Sequence, residues 1–132
     1  MNLVLEVTIP MLPPSVNAIY APVNVAPTSS RRGFSTIKMR REAVEWIGQA
    51  ALFLPPCKLG ADTTYRMELE YHANWRTKSG ELKNKDVRNY EKLVTDTVFR
   101  RYGLSDKLIW ESLVVKVQNE EKEKVVVKLF TL

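Results

Sequence analysis

Residues 85–106 read KDVRNYEKLVTDTVFRRYGLSD and carry the clearest pattern in the chain. Apolar side chains recur there at helical spacing, which predicts an amphipathic helix after Asp86. The apolar positions are Tyr90, Leu93, Val94, Val98 and Phe99. Gly103 suits the left-handed residue that ends many helices. One acidic residue therefore precedes the predicted helix, and a second, Asp106, follows its end.

The polar residues of this stretch suit either a metal and phosphate site or ordinary helix capping. A period of 3.6 residues places Asn89, Lys92 and Asp96 on one face. Carboxylates such as Asp86 and Asp106 are ligands that Mg²⁺ prefers, and a lysine can balance charge on a phosphate. Asp86 equally suits an N-cap, and Asp96 a helix ion pair with Lys92. Spacing alone leaves both interpretations open.

The composition indicates one globular domain with an excess of basic residues. Residues 1–132 are enough for a real core and too few for two domains. The formal charge of +5 favours an anionic partner such as nucleic acid, although a lysine excess also serves solubility.

The single cysteine and the apolar patterning bear on the compartment. Cys57 has no second cysteine to pair with, so we expect a reducing, cytoplasmic location. His72 is the only histidine and falls in a predicted strand, which argues against a Cys–His nucleophile or a structural zinc site. We expect neither a signal peptide nor a membrane span, because no stretch approaches the roughly twenty apolar residues that a span requires.

Four strands and two helices are predicted along the chain. Alternating residues predict strands at 1–9 and 63–72, and apolar, β-branched runs predict strands at 113–117 and 125–129. The last two should pair as an antiparallel hairpin across a turn at 119–122. The order β-α-β-α-β-β predicts a two-layer α+β domain, with both helices packed on one face of a mixed, largely antiparallel sheet.

The first helix should follow a polar loop that extends from Ala21 to Ser35. Ser35 or Thr36 can cap it, and it should end near Phe53. Its predicted apolar stripe contains Ile37, Val44, Ile47, Ala51 and Leu52.

Basic residues gather in two segments that suit phosphate contacts. The first has five cations within eleven positions and no acidic residue: Arg31, Arg32, Lys38, Arg40 and Arg41. The second leads into the predicted second helix and contains Arg76, Lys78, Lys83 and Lys85. Solvated surface charge is the alternative interpretation.

Motifs in the first half of the chain resemble those of the RusA family of Holliday junction resolvases, endonucleases commonly carried by phages and prophages. Residues 12–17 read LPPSVN and, with Tyr20, are similar to the family's Pro-Pro-Ser-x-Asn opening and following tyrosine; from the residues alone, Asn17 and Tyr20 could contact a ligand or belong to a rigid connector. Residues 35–41 are similar to the segment leading into the family's first helix. Glu70 and His72 resemble its Glu-x-His strand end.

The second half carries the more specific part of the resemblance. Residues 85–92 read KDVRNYEK and are similar to the family's basic-Asp-hydrophobic-Asp-Asn-x-x-Lys motif. Ser105 and Asp106, followed by Ile109 and the LVVK of residues 113–116, resemble its Asp-Asp pair and the strand after it.

The resemblance implies a Mg²⁺-dependent homodimer, with Mn²⁺ as a substitute cation, that introduces paired nicks across a four-way DNA junction. It implies that Asp86 and Asp106 are metal ligands, that Lys92 is the catalytic cation and that Asn89 supports the site geometry. The two-fold symmetry of such a dimer would match that of the junction.

The chain departs from the family pattern at Arg88 and Ser105, where the family has aspartates. Arg88 matters more, because it places a cation where a metal ligand is expected and adds to the DNA-binding candidates. Another carboxylate can complete the site, with Glu70 the first candidate and Asp96 and Glu111 the others. A more hydrated metal held by two aspartates is a second option. The third is a DNA-binding protein with weakened or lost catalysis; an unrelated protein-interaction domain is a further class.

Overall fold

The computed structural model describes residues 1–14, 20–85 and 87–132, without the side chain of Asn89. Its strands are β1 (Asn2–Ile9), β2 (Tyr20–Val25), β3 (Phe34–Met39), β4 (Tyr65–Ala73), β5 (Ile109–Gln118) and β6 (Lys124–Thr131). Its α-helices are α1 (Arg41–Ala51) and α2 (Arg88–Tyr102), and a 3-10 turn at Asp106–Leu108 leads into β5.

Four strands form one mixed sheet in the order β1-β6-β4-β5. β6 pairs antiparallel with β1 on one side and with β4 on the other, whereas β4 and β5 are parallel. The parallel pair is possible because α2 carries the chain back along the sheet between β4 and β5, as a crossover connection must. The prediction of a mixed, largely antiparallel sheet is confirmed.

Both helices pack on one face of this sheet and enclose the core. Along β4 every second residue, from Tyr65 to Ala73, is buried on that face, and Arg66, Glu68, Glu70 and His72 alternate with them on the other face. The buried side chains of α1, α2 and the sheet form one cluster. The two-layer α+β class is therefore confirmed, and apolar burial at this face is its main stabilisation.

The second helix matches its predicted pattern closely. All five predicted stripe residues of α2 are buried. Gly103 has φ +65° and ends the helix in the left-handed conformation, with the Leu104 N–H donating to the Phe99 carbonyl. A residue with a Cβ is strained at this φ, so glycine suits the position.

The predicted start and stripe of the first helix are wrong. Residues 34–39 are a strand, and the Ser35 hydroxyl donates to the Asn24 side chain at 2.8 Å instead of capping a helix. The helix begins at Arg41, and its buried side chains are Ala43, Trp46 and Ala50. The predicted stripe residues Ile37, Val44 and Leu52 are exposed. One large indole with small alanines a turn away fills the space that the prediction had assigned to aliphatic side chains.

The segment predicted as a loop contains half of an antiparallel hairpin. β2 and β3 pair from Tyr20↔Met39 to Val25↔Phe34 and form a separate two-stranded sheet. The order of elements along the described chain is therefore β-β-β-α-β-α-β-β.

The predicted pairing of the last two strands is also wrong. β5 and β6 run in opposite directions, as predicted, but β4 lies between them. The turn itself is present, since the Asn119 side chain accepts hydrogen bonds from the Glu121 and Lys122 amides. The two strands separate after that turn because β5 pairs with β4, to which α2 connects it.

Candidate carboxylate site and nucleic-acid interface

The structure does not describe three of the predicted site side chains. Asn17 and Asp86 lie outside the described residues, and so does the side chain of Asn89. The geometry below therefore concerns the other predicted residues and their surroundings.

Asp106 lies in the 3-10 turn that precedes β5 and lines a cavity of about 240 Å³. The cavity lies between α2 and the β4–β5 edge of the sheet. Its other lining residues are Met67, Glu91, Thr95, Phe99, Ile109 and Ser112. Asp106 thus shares a cavity with one other carboxylate, that of Glu91.

Glu91 is the residue that the sequence analysis did not single out. It lies in the first turn of α2, and the Ser112 hydroxyl on β5 donates to its Oε1 at 3.4 Å. No local signal marks it, because its place in the cavity that Asp106 lines depends on how β5 pairs with β4. Only the register Met67↔Ser112 brings these segments together.

A buried hydroxyl without a partner lies near this carboxylate. Tyr71 on β4 is fully buried, and its Oη makes no hydrogen bond within the described part of the chain. Burial raises the pKa of the Tyr71 hydroxyl, and the negative charge of Glu91 raises it further. The phenol is therefore a neutral group at physiological pH.

Lys92 lies in a different environment from Asp106. Its Nζ is 3.5 Å from Asp96 Oδ2, one helical turn further along α2. Both residues line a small cavity of about 60 Å³ with Tyr20 and Arg100. Successive helix residues are about 100° apart around the axis, so Lys92 and Glu91 occupy adjacent faces of α2. The cavity of Asp106 does not include Lys92.

The carboxylates predicted as substitutes for the missing aspartate are each engaged elsewhere. Asp96 pairs with Lys92, and Glu111 lies 3.1 Å from Arg66 Nη1. Glu70 faces away from the helices, 3.1 Å from Lys128 Nζ and 3.0 Å from His72 Nε2. None of the three lines the cavity of Asp106.

The Glu70 cluster has a clear electrostatic signature. Partial burial opposes ionisation of Glu70, but the hydrogen bonds from Lys128 and His72 outweigh it and hold the pKa of that carboxyl below its usual value. Glu70 in turn raises the pKa of Lys128. The pair braces β4 against β6 on the helix-free face.

The two ends of the motif stretch are far apart in the described structure. Lys116, near the end of β5, donates from Nζ to the Lys85 carbonyl, whereas Asp106 precedes the start of that strand. Seven residues of strand separate Ile109 from Lys116, a distance of roughly 23 Å. Lys85 and Asp106 therefore lie beside opposite ends of β5.

Lys116 is a second residue that the sequence analysis did not single out. Its ammonium group also lies 5.1 Å from the centre of the Trp75 ring, within cation–π range. The Trp75 indole donates to the carbonyls of Tyr71 and Val117 at 3.1 Å each. This cluster fixes the loop that contains Arg76, Lys78, Lys83 and Lys85 to the sheet.

Most of the predicted DNA-binding cations lie in the hairpin segment, residues 20–40, or in this loop, whereas Arg41 and Arg88 begin α1 and α2. Arg76 donates to the Gly80 carbonyl at 2.9 Å, and Lys78 is exposed at the turn. Arg41, at the start of α1, is paired with Glu45 at 2.7 Å. Arg88 is exposed in the first turn of α2.

Side chains that could bind a metal are not clustered in the described ranges. No group of three or more acidic, histidine or cysteine side chains is placed to hold an ion there. Asp106 and Glu91 both line one cavity, and carboxylates are oxygen ligands of the kind that Mg²⁺ accepts while keeping several of its waters. None of the described helices is long and apolar enough to cross a membrane.

No protein-family model matches the chain, and a search of curated proteins finds no matching sequence. The resemblance to the RusA family accordingly stays a prediction based on the motifs quoted above.

Proposed function

We propose that this protein is a structure-selective DNA endonuclease that resolves four-way junctions in recombination and repair. The observation that carries the proposal is the cavity shared by Asp106 and Glu91. Asp106 is the residue that the resemblance identifies as a metal ligand, and Glu91 is a second carboxylate on the neighbouring helix. The abundant exposed cations supply the complementary charge for DNA.

Asp106 and Glu91 are the described residues that would hold Mg²⁺, with Mn²⁺ as a substitute. Bound there, the cation would polarise a phosphate and lower the pKa of an attacking water. Ser112 orients Glu91 through its hydrogen bond, and the buried Tyr71 hydroxyl near Glu91 is neutral and adds no competing charge. Asp86 directly follows Lys85, which lies beside the opposite end of β5 from Asp106, so Asp86 is not proposed as a ligand of this same ion.

Lys92 keeps its proposed role as a cation near the scissile phosphate only if its pair with Asp96 opens. That pair is exposed and spans one helical turn, so its disruption costs at most a few tenths of a kcal/mol. A phosphodiester anion of the DNA competes readily with such a contact.

The partner and assembly state of the protein follow from the same proposal. The substrate is branched duplex DNA, and the active form is a homodimer whose symmetry matches the junction. The location is cytoplasmic, in keeping with the free thiol of Cys57.

A second candidate is a junction-binding protein of the same fold that does not cleave. Arg88 favours it, because a cation at this motif position lowers the local affinity for Mg²⁺ and raises that for phosphate. The two candidates share DNA binding and differ in nicking.

The test uses a labelled synthetic four-way junction with Mg²⁺, Mn²⁺ or Ca²⁺. The wild type should give paired nicks with Mg²⁺ or Mn²⁺, and Asp106→Asn should abolish them. Equal loss of nicking in Asp86→Asn would show that the two aspartates act on one site. Glu91→Gln should slow nicking at least tenfold while binding in Ca²⁺ persists. Glu120→Gln, in the exposed turn after β5, is the matched control and should nick normally.

Salt-sensitive binding by the wild type without nicking under any of these ions would refute the enzyme and favour the second candidate. No salt-sensitive DNA affinity would refute both, because phosphate contacts make affinity fall steeply with salt.

A further inference from the structure

The β2–β3 hairpin is built differently from every other part of the described fold. It forms its own two-stranded sheet, and the extensive contacts of each strand are with the other strand. Side chains on both of its faces are exposed, including Phe34 at 47% and Ile37 at 69%. Most of this ribbon is therefore available to a partner.

The hairpin lies in a stretch with no negative charge. Residues 7–41 contain no aspartate or glutamate, and the acidic residues on either side are Glu6 and Glu42. A partner that contacts this surface therefore meets only neutral groups and cations. A polyanion is the partner with complementary charge.

The two faces of the ribbon differ, because paired residues of antiparallel strands share a face. One face contains Tyr20 and Met39, which line the small cavity beside α2, so it turns toward the body at its base. The other face contains Phe34, Thr36 and Lys38, opposite Val25, Val23 and Ala21. This second face, the Phe34–Lys38 face, is exposed at Phe34 and Lys38 and half-buried at Thr36 and the three residues opposite, so a partner meets Phe34, Lys38 and the neighbouring arginines first.

Cations lie at both ends of the Phe34–Lys38 face, and uncharged side chains lie between them. Arg31 and Arg32 are at the tip, and the Arg31 guanidinium lies 5.2 Å from the centre of the Phe34 ring. Lys38 and Arg40 are at the base. The uncharged middle consists of small, β-branched and aromatic groups that can contact base edges, including thymine methyls.

Hydrogen bonds hold the ribbon in this shape. The Arg31 guanidinium donates to the Ala26 carbonyl at 3.0 Å, and Arg40 Nε donates to the Tyr20 carbonyl at 3.2 Å. Ser35 and Asn24 are joined across the strands. Pre-organisation of this kind reduces the ordering cost of binding.

We propose that the β2–β3 ribbon inserts into the major groove of a duplex arm of the DNA substrate through its Phe34–Lys38 face. The inference rests on the proposed function for its ligand and adds how duplex DNA is held. Six paired residues make a ribbon about 20 Å long. The major groove is about 12 Å wide and admits a two-stranded ribbon. The cations at its two ends then reach phosphates on either side of the groove.

The proposal is tested by dimethyl sulfate footprinting of the full-length protein on a 24-base-pair duplex and on a four-way junction. Dimethyl sulfate modifies guanine N7 in the major groove and adenine N3 in the minor groove, so one reagent reports both grooves. Binding in Ca²⁺ and nicking in Mg²⁺ are measured on the same samples.

Two variants are compared with matched controls, with circular dichroism melting to check folding. Lys38→Gln should reduce affinity and lower the salt slope by about one, whereas Lys58→Gln, an exposed lysine outside the ribbon, should do neither. Phe34→Ala should weaken binding roughly five- to tenfold and lose guanine N7 protection. Ile37→Ala, on the opposite face, should bind like the wild type.

Guanine N7 protection that Phe34→Ala loses and Ile37→Ala keeps supports the proposal, whether or not the protein nicks. DNA binding without guanine N7 protection, adenine N3 protection alone, or equal effects of Lys38→Gln and Lys58→Gln overturns it and leaves the proposed function standing. Absence of salt-sensitive DNA binding by the wild type overturns both.

Discussion

The four-stranded sheet and the β2–β3 hairpin both contain antiparallel strand pairs, yet they bury very different amounts of surface. In the sheet, β4 has a strand on each side and two helices over one face, so five of its nine residues are buried. In the hairpin no residue is fully buried.

This difference in burial indicates that the sheet supplies the stability of the fold, whereas the hairpin is available to bind a partner. Apolar contacts at the helix face of the sheet hold the fold together, and the hairpin adds little to them. An isolated two-stranded hairpin is marginal in water, so its shape depends on local hydrogen bonds and on its base. Its surface residues are therefore free to serve a partner.

Leu69→Ala should produce the largest effect on stability. Leu69 is fully buried at the centre of β4, and its truncation should cost about 2–5 kcal/mol in urea unfolding. Ile37→Ala in the hairpin is the control and should change stability by less than about 0.5 kcal/mol. Equal losses would show that the hairpin belongs to the same cooperative core.

Tyr71→Phe should stabilise the protein, by about 1 kcal/mol, because it removes a buried hydroxyl without a partner. Tyr65→Phe is the matched control on the same strand. The Tyr65 hydroxyl donates to the Gly60 carbonyl at 2.6 Å, so its loss should destabilise by about 1 kcal/mol. Chemical denaturation of both variants measures the difference. A loss of stability in Tyr71→Phe would mean that the hydroxyl has a partner in solution.

Gly33→Ala should disturb the hairpin while leaving the sheet intact. A Cβ at Gly33 would lie 3.0 Å from Pro27 Cδ and 3.1 Å from the Val25 carbonyl oxygen, and backbone atoms yield little. We expect amide shift changes confined to the hairpin and a global cost below about 1 kcal/mol. Gly48→Ala in α1, where the space is open, should instead stabilise by up to about 1 kcal/mol. Amide shift changes in β4 of Gly33→Ala would show that the hairpin and the four-stranded sheet do not respond independently.

The smallest predicted effect concerns acid stability and the Glu70–Lys128 contact on the helix-free face. The pKa of Glu70 is lower in the folded than in the unfolded state, so its ionised carboxylate stabilises the fold above the unfolded pKa of about 4.3. This stabilisation is lost as the pH falls through the folded-state pKa. The raised pKa of Lys128 affects stability at alkaline pH, where its contribution is lost as the pH rises through the folded-state pKa.

Glu70→Gln should therefore melt below the wild type at pH 7 and approach it at pH 3. Glu120→Gln is the control and should show no such convergence. A constant gap between Glu70→Gln and the wild type at both pH values would attribute the loss to packing and not to charge.

Local sequence patterns correctly predicted the elements that bury one face in the core between the sheet and the helices. Alternation in β4 and the apolar stripe of α2, with Gly103 at its end, needed no tertiary information. The prediction for the first helix failed because its buried side chains are one indole, Trp46, and the small Ala43 and Ala50, and a search for a stripe of larger aliphatic residues does not mark these positions. The hairpin was missed because its prolines and polar residues are typical of loops, and its strands bury too little to show alternation.

Sheet order and the carboxylate cavity could not be predicted from local sequence. Both depend on the parallel pairing of β4 with β5, which places Ser112 beside Met67 and so brings Glu91 toward Asp106. The separation of Lys92 from Asp106 follows from the same arrangement. Motif spacing alone does not report which side of a helix a lysine occupies after the helix has packed.

The position of β6 also has a consequence for how this protein is made. β1 pairs with β6 in the described structure, from Asn2↔Thr131 to Ile9↔Val125, and β6 joins β1 to β4. During synthesis, β1 must therefore wait until residues 124–131 have left the ribosome before it has a partner strand. Contacts between such distant residues slow folding. The sheet is assembled around the last of the described strands, so truncation within β6 should leave β1 as an unpaired, aggregation-prone strand.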